Sequence, residues 1–350
     1  MPNNPMVAGW ESPSNIALVK YWGKYGDQLP KNPSVSFTLS KAVTTTEVTM
    51  VRSDQHKDIE LSFLFEGKEN AAFASRIEKW LNKLVQDHLP FLRGSIIDVS
   101  TKNSFPHSSG IASSASGMSA LSLCLCDLLY QTKEERDYDD DFYKQASFIS
   151  RLGSGSACRS VYPEMAVWGG HDQIPHSSDE HAICIKDQIH PVFKTFHDDI
   201  LIVSAQEKKV SSTAGHHLMN GNPYAPARYQ QAHDRMTLLM SALHNGDVST
   251  FGKITEDEAM TLHALMMCSD PPYMLMEEAS LAIIKKIKTY RADTGVPIYF
   301  TLDAGPNIHV LYPEEFQSQT ENFITSDLLP HCHEGRIIKD KVGNGPKKIK

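Results

Sequence analysis

No stretch of the chain reaches the roughly 18 consecutive apolar residues that a membrane-spanning helix needs. The first residues, Met-Pro-Asn-Asn-Pro, have neither the basic nor the apolar region of a secretion signal. Both absences lead to the expectation of a cytoplasmic protein with no membrane partner. Basic excess is missing too. The chain has 34 Lys and Arg against 42 Asp and Glu, and its net charge of −8 argues against a nucleic-acid partner. Cysteine is sparse: six residues, at 124, 126, 158, 184, 268 and 332, lie scattered and mostly in apolar segments. A reduced, structural set is expected rather than disulfides. Metal-ligand spacing is also lacking. His331-Cys332-His333 has no partners at zinc distances, and Asp137-Tyr138-Asp139-Asp140-Asp141 lacks the glycine and distal glutamate of a calcium loop. A solvated turn before a helix is the expected reading of that acidic run. No G-x-x-x-x-G-K-[S/T] phosphate loop occurs; Gly246 to Lys253 comes closest, with the wrong spacing.

What is present suits a two-domain α+β protein. A chain of 350 residues exceeds one ordinary core, and a boundary near residue 195 divides it into 1–195 and 196–350. Val43–Val51, Ile59–Phe65 and Ser95–Ser100 read as strands, and Phe73–Leu84 as an amphipathic helix. An apolar run, Met118–Tyr130, and the segment Asp141–Leu152 read as further helices, with short strands at Glu164–Trp168 and Ala182–Lys186. The second half begins with a strand, Asp199–Ala205. Helices at Ala227–Asn245, Val248–Met267 and Met274–Arg291 follow, two of them with starts at Asp247 and Asp270. Strands Pro297–Leu302 and Ile308–Tyr312 come next, and the last residues, Gly-Pro-Lys-Lys-Ile-Lys, read as frayed.

The most telling stretch is Phe105-Pro-His-Ser-Ser-Gly-Ile-Ala-Ser-Ser-Ala-Ser-Gly117. Small side chains let backbone N–H groups approach an anion closely, and the helix that follows aims its amides and positive dipole end at the same place. This is how a protein holds nucleotide phosphates. Four other segments bear on chemistry. Ser14–Lys24 ends in an aromatic pair bracketed by Lys20 and Lys24, and its residues alone fit either a phosphate-binding turn or an edge strand with solvated lysines. Gly153-Ser-Gly-Ser-Ala-Cys-Arg159 joins a helix end to a second Gly/Ser turn. Its arginine suits bidentate binding of a carboxylate or phosphate. Lys208-Lys-Val-Ser-Ser-Thr213 places hydroxyls beside lysines. Asp303, between an apolar strand and Gly-Pro-Asn, fits either a turn-initiating residue or a carboxylate facing a cleft.

Taken together and in this order, these segments resemble the diphosphomevalonate decarboxylase family of the GHMP kinase superfamily. Asn-Ile-Ala-Leu-Val-Lys-Tyr-Trp-Gly-Lys and Gly-Ser-Gly-Ser-Ala-Cys-Arg-Ser are the most specific parts; Gly-Ile-Ala-Ser-Ser-Ala-Ser-Gly alone indicates only the superfamily. The resemblance implies an N-terminal domain related to ribosomal protein S5 domain 2, a ferredoxin-like C-terminal domain and an active site between them. It implies that ATP phosphorylates the 3-hydroxyl of mevalonate 5-diphosphate, that phosphate and CO2 leave, and that isopentenyl diphosphate remains. By resemblance the catalytic residues are Asp303, Lys24 and Arg159. The substrate contacts are Tyr21, Trp22, Gly23, Lys24, Arg76, Ser154, Gly155, Ser156, Ala157, Cys158, Arg159, Ser212 and Thr213. ATP would lie on Ser108, Ser109, Gly110, Ile111, Ala112, Ser113, Ser114 and Ser116, with Mg2+ near Ser113 or Ser114. A homodimer is implied as well.

Two departures stand out. Pro163-Glu164 occupies the place of a glycine pair, and Ala-Gly-His-His with Asn220-Gly-Asn-Pro223 follows Thr213 like an insertion. Related readings are a mevalonate or phosphomevalonate kinase, a phosphomevalonate decarboxylase, and a nucleotide-binding regulator without catalysis. The joint presence of Asp303, Lys24 and Arg159 favours decarboxylation.

Overall fold

The computed structural model describes residues 4–52, 58–106, 113–133, 137–206 and 210–350. The first half contains β1 (Met6–Val19), β2 (Ser34–Arg52), β3 (Glu60–Phe65), α1 (Ala71–Asp87), β4 (Ser95–Asn103), α2 (Ser113–Gln131), α3 (Asp140–Gly153) and β5 (Met165–Trp168). The second contains β6 (His197–Leu201), α4 (Ser212–His217), α5 (Ala225–Asn245), α6 (Val248–Met267), α7 (Glu278–Thr294), β7 (Tyr299–Thr301), β8 (Ile308–Tyr312), β9 (Ile337–Lys341) and β10 (Lys347–Lys348). Strand order in the larger sheet is β10-β1-β2-β4-β3, with β5 paired to the first part of β2. The smaller sheet runs β7-β8-β6-β9.

The long β2 forms because its β-branched residues alternate. Thr44, Thr46, Val48 and Met50 are buried, and Thr45, Glu47 and Thr49 are half-buried. The buried face meets α2, which is apolar nearly all round because it lies between the sheet and α3. Asn70 caps α1 by accepting from the Phe73 amide at 3.0 Å, and Asp139 caps α3 in the same way through Phe142 at 3.0 Å. The acidic run is thus a helix start. Among the described residues, no group of His, Cys, Asp and Glu is placed to hold a metal ion, and all six cysteines are free.

One core packs Trp10, Val48, Leu125 and Phe142 between sheet and helices. A second joins the two halves: Phe37 of β2 meets Phe196 and Phe251 with ring centroids 6.1 and 5.8 Å away. Asp340 of β9 adds a polar tie, accepting from the amides of Ser40, Lys41 and Ala42 at 2.8, 2.9 and 2.7 Å.

Several elements differ from the sequence expectation. The solvated-lysine reading of Ser14–Lys24 fails at Lys20, which is buried; Asn15–Val19 do pair with β2 alone, since β10 meets β1 only at Trp10 and Glu11. The C-terminus is not frayed: Lys347 and Lys348 pair with Glu11 and Trp10, and the Lys348 ammonium reaches the buried Asp127 carboxylate at 3.0 Å. Asp270 starts no helix, because Pro271 and Pro272 follow it and disfavour helical backbone; α7 begins at Glu278, where the Glu277 amide donates to Ser280 Oγ at 3.2 Å. Strand β6 stops at Leu201. The next amides, Val203 and Ser204, are diverted to the Asn307 side chain at 2.8 and 3.0 Å. Glu164 stands in the left-handed region at φ 54°, so the expected glycine geometry persists without the glycine.

Candidate active site

Strand β1 delivers the first functional residue. Its ladder ends at Val19, after register shifts between Pro13 and Asn15 and between Ala17 and Val19. Such bulges re-aim the side chains beyond them. Lys20 follows, buried, with Nζ 2.9 Å from Oδ1 of Asp303. The aspartate sits on the turn between β7 and β8, where its own carbonyl accepts from the Gly305 amide at 2.7 Å and lies 3.1 Å from the His263 ring nitrogen Nε2. Its carboxylate is 27 % exposed and opens into a cavity of about 250 Å³ between the two halves.

Arg159 stands on the same cavity, at the end of a 3-10 turn, Gly155–Arg159. Its guanidinium donates to Ser36 Oγ at 2.9 Å, to Ser34 Oγ and to Asn15 Oδ1 at 3.3 Å. All three partners are neutral, and among the described residues it forms no ion pair. Burial lowers its pKa, the nearby Cys158 and Asp303 raising it in opposition, yet an arginine stays charged from so high an ordinary value. A buried cation without a counter-ion is costly, and an incoming carboxylate or phosphate would relieve that cost.

The turn Gly153–Ser156 forms one wall. Gly155 must be glycine here: a Cβ would lie 2.8 Å from the Trp168 ring and 2.9 Å from Tyr21 Oη. The Tyr21 hydroxyl is buried with no hydrogen-bond partner among the described residues, and burial pushes its pKa up. It remains a donor for a ligand oxygen. Arg76 of α1 donates to the Gly153 carbonyl at 3.3 Å, and Lys24 Nζ to Gln28 Oε1 at 3.0 Å. Burial, and then the charge of Arg76, lower the Lys24 pKa. Trp22 forms apolar wall with Leu262, while Gly23, at φ 95°, turns the chain.

From the other side, α4 brings Ser211, Thr213 and His216 to the cavity. Ser211 caps the helix by accepting from the Ala214 amide at 3.2 Å. His216 Nδ1 accepts from the Gly23 amide at 2.9 Å, and its ring lies 4.3 Å from that of Tyr21 and 4.6 Å from that of Trp22. Burial, then Lys24 and His217, bring its pKa down to about 3. It is neutral, with its proton on Nε2.

A second cavity of about 210 Å³ adjoins the first, and Arg76 and Ser114 line both. Phe63, Phe73, Ile77, Val99 and Met118 make it apolar, and Ser113 and Ser114, at the start of α2, stand at its edge. Ser114 Oγ lies 3.4 Å from Ser154 Oγ, so the two Ser/Gly segments meet.

The structure thus brings Tyr21, Trp22, Lys24, Arg76, Ser114, Ser154, Gly155, Ser156, Arg159, Thr213 and Asp303 around one cavity, with Ser113 on the adjoining one. Four described sequence-selected residues line neither cavity: Gly23, whose amide is taken by His216, and Ala157, Cys158 and Ser116. Ala157 and Cys158 are buried in the core because the 3-10 turn rotates them inward, and burial pushes the Cys158 thiol up to about 12. Ser116 is buried against β2, 2.6 Å from Thr44 Oγ1. Ser108, Ser109, Gly110, Ile111 and Ala112 fall outside the described residues, as do Lys208, Lys209 and the side chain of Ser212. Sequence reasoning missed Lys20 and His216. It noted both lysines around Tyr21-Trp22 but set only Lys24 near the reacting hydroxyl, whereas in the structure Lys20 is the one that meets Asp303. For His216, the atypical Ala-Gly-His-His was the signal.

Comparison with known proteins agrees with this geometry. Residues 12–181 match the diphosphomevalonate decarboxylase-like N-terminal domain, and residues 199–348 match the mevalonate 5-diphosphate decarboxylase C-terminal domain. Diphosphomevalonate decarboxylase of Ganoderma lucidum is 32% identical over 95% of this chain and 84% of its own; that of Candida albicans is 28% identical over 96% of each. The crystal structure of mevalonate diphosphate decarboxylase from Staphylococcus aureus superposes with a TM-score of 0.84 at 25% identity, covering 99% of both chains. MDDEF in complex with MVAPP, AMPPCP and magnesium gives 0.82 at 27% identity, covering 99% of this chain and 100% of its own. An α+β architecture of two sheets, a cleft lined by Lys20, Arg159 and Asp303, and these matches along nearly the whole length place the chain in the diphosphomevalonate decarboxylase family, on the GHMP kinase fold.

Proposed function

We propose that this chain converts (R)-mevalonate 5-diphosphate and ATP into isopentenyl diphosphate, ADP, phosphate and CO2. The observation behind this reading is the Lys20–Asp303 pair at 2.9 Å, facing a cavity that also holds Arg159, which has no counter-ion among the described residues. Hydroxide leaves a tertiary carbon poorly and phosphate leaves it well, so the 3-hydroxyl must first be phosphorylated. Asp303 accepts the hydroxyl proton as the γ-phosphoryl group transfers and ADP forms. The C–O bond then breaks with its electron pair on phosphate, which takes up the proton from Asp303, and the restored carboxylate faces the positive charge that develops on carbon. The carboxylate carbon departs as CO2, and its bonding pair becomes the alkene. Lys20 orients Asp303 and faces the oxygens of the phosphoryl group in transfer.

Arg159 clamps the substrate carboxylate. Tyr21, Lys24, Arg76, Ser154, Gly155, Ser156 and Thr213 surround its diphosphate, and Trp22 and Gly23 shape that wall. The apolar second cavity takes the adenine, with the triphosphate passing the α2 N-terminus at Ser113 and Ser114. Mg2+, when bound, neutralises charge on the β- and γ-phosphates; Ser113 and Ser114 are the hydroxyls at hand. The absence of an acidic cluster among the described residues fits an ion that arrives with the triphosphate. We assign the two domains to 1–195 and 196–350, and infer a cytoplasmic homodimer from the family resemblance. No described helix is long and apolar enough to cross a membrane.

The deciding experiment incubates the protein with magnesium-ATP and mevalonate 5-diphosphate and follows ADP, phosphate and CO2. Equal release of all three supports the reading. ADP without gas would make it a kinase, and gas from the monophosphate alone would make it a phosphomevalonate decarboxylase.

A further inference from the structure

Lys20 lies just past the last ladder residue of β1, so the sheet does not satisfy its backbone N–H and C=O. Both are buried, and a buried unpaired peptide group is costly. The partners come from the C-terminal helices. The Lys20 amide donates to Glu258 Oε2 of α6 at 2.8 Å, and the Lys20 carbonyl accepts from Arg228 Nη2 of α5 at 3.0 Å. Asn32 Nδ2 donates to the same carbonyl, also at 3.0 Å.

The two helix residues also hold each other. Arg228 Nη1 and Nη2 each lie 2.6 Å from an oxygen of the Glu258 carboxylate, and both side chains are almost wholly buried. The pair is therefore a rigid planar fork. Its Nη2 and Oε2 meet the C=O and N–H of Lys20, which belong to the two peptide units flanking the Lys20 Cα. The Arg228 charge keeps the Glu258 carboxyl below its usual range against the opposing effect of burial. A third cation, Arg235, touches Glu258 Oε1 at 2.8 Å and does not touch Lys20.

We propose that the Arg228–Glu258 pair is a positioning device for Lys20: it fixes the backbone of that lysine so that its ammonium is held against Asp303. The proposal rests on the catalytic reading of the Lys20–Asp303 pair given above. A buried ion pair is weak evidence for stability, because its desolvation offsets its attraction. Holding one catalytic residue in place gives it a function that a packed apolar pair would not supply. A displacement of about 1 Å in a catalytic group can cost about 100-fold in rate.

The test compares Glu258→Asp, Glu258→Gln and Arg235→Met in the full chain. Aspartate keeps the charge but is one methylene too short to reach both Arg228 and the Lys20 amide. Arg235→Met removes a partner of the same carboxylate without touching Lys20. The Glu258 variants are expected to lose about 10- to 100-fold in kcat for CO2 release, with KM for mevalonate 5-diphosphate within about threefold of the parent. Arg235→Met is expected to keep kcat within about threefold. Amide hydrogen exchange at Lys20 is read in parallel and is expected to speed up in Glu258→Asp but not in Arg235→Met. Should Glu258→Gln fail to fold, Glu258→Asp still decides. Equal kcat losses in Glu258→Asp and Arg235→Met, or an unchanged Lys20 exchange rate in Glu258→Asp, would overturn the proposal. A parent protein that binds mevalonate 5-diphosphate without turnover would instead overturn the functional reading, and the exchange measurement would still report on the clamp.

Discussion

The ammonium of Lys20 lies 2.9 Å from a carboxylate oxygen of Asp303, a residue 283 positions further along the chain. One comes from the end of a long strand in the larger sheet and the other from a turn of the smaller sheet. The contact exists only because the two halves close on each other, and the proposed chemistry rests on it.

Asp303→Asn removes the group proposed to take the hydroxyl proton. Turnover should fall by about 100-fold or more, with a much smaller change in KM. Lys20→Met should follow the same pattern. Lys24→Met should differ, raising KM for mevalonate 5-diphosphate more than it lowers kcat, since Lys24 bonds Gln28 on the diphosphate wall. Steady-state kinetics of the three variants separate the two lysines. Equal kcat effects from both would remove the distinction.

Arg159→Met replaces a buried cation that lacks an ion-pair partner among the described residues. The ligand-free melting temperature should change little, because lost hydrogen bonds to Ser34, Ser36 and Asn15 are offset by relief of desolvation. Ligand-induced stabilisation should disappear. In the parent it should approach about 3 kcal/mol at a ligand concentration 100 times Kd. Thermal melts with and without mevalonate 5-diphosphate measure it, and an undiminished shift in the variant would take Arg159 out of substrate recognition.

His216 adds an acid sensitivity of known sign. Its folded-state pKa, about 3, lies below the ordinary value of 6.5, so the unfolded chain binds the proton first. The stability tied to its neutral form is complete above pH 6.5 and is lost as pH falls toward about 3. Between pH 7 and pH 4 the loss should come to about 3 kcal/mol, at about 1.4 kcal/mol per pH unit below 6.5. Urea unfolding of parent and His216→Gln across that range gives the difference directly. A gap that stays constant with pH would show that His216 does not titrate in this way.

Met118→Trp fills the apolar cavity beside α2. KM for ATP should rise at least about tenfold, as expected when bulk displaces a ligand from its pocket, while KM for mevalonate 5-diphosphate changes little. If the second KM rises instead, the cavity does not hold the nucleotide.

Much of this was legible in the chain. Helix α6 runs over the same residues that periodicity and an Asp247 cap predict, Val248–Met267, and β8 coincides with Ile308–Tyr312. Hydroxyls, glycines and Arg159 sit close together in sequence, so local motif chemistry could find them. Lys20 and Lys24 could not be ranked that way. They flank the same aromatic pair, and only the strand bulges and the register of β1 decide which ammonium turns inward. His216 was hidden because a histidine declares no role until its ring nitrogen meets a particular amide.

Local patterning therefore set the elements and the anion-binding turns, since each depends on neighbours within a few residues, and the class of reaction came from the resemblance that those motifs carry. Which lysine faces Asp303, which residues of the Gly155–Arg159 turn vanish into the core, and what grips the Lys20 backbone were decided by the packing of α5 and α6 against the end of β1. Those contacts join residues more than 200 positions apart, and a buried peptide group takes whichever partner the closed fold brings within reach.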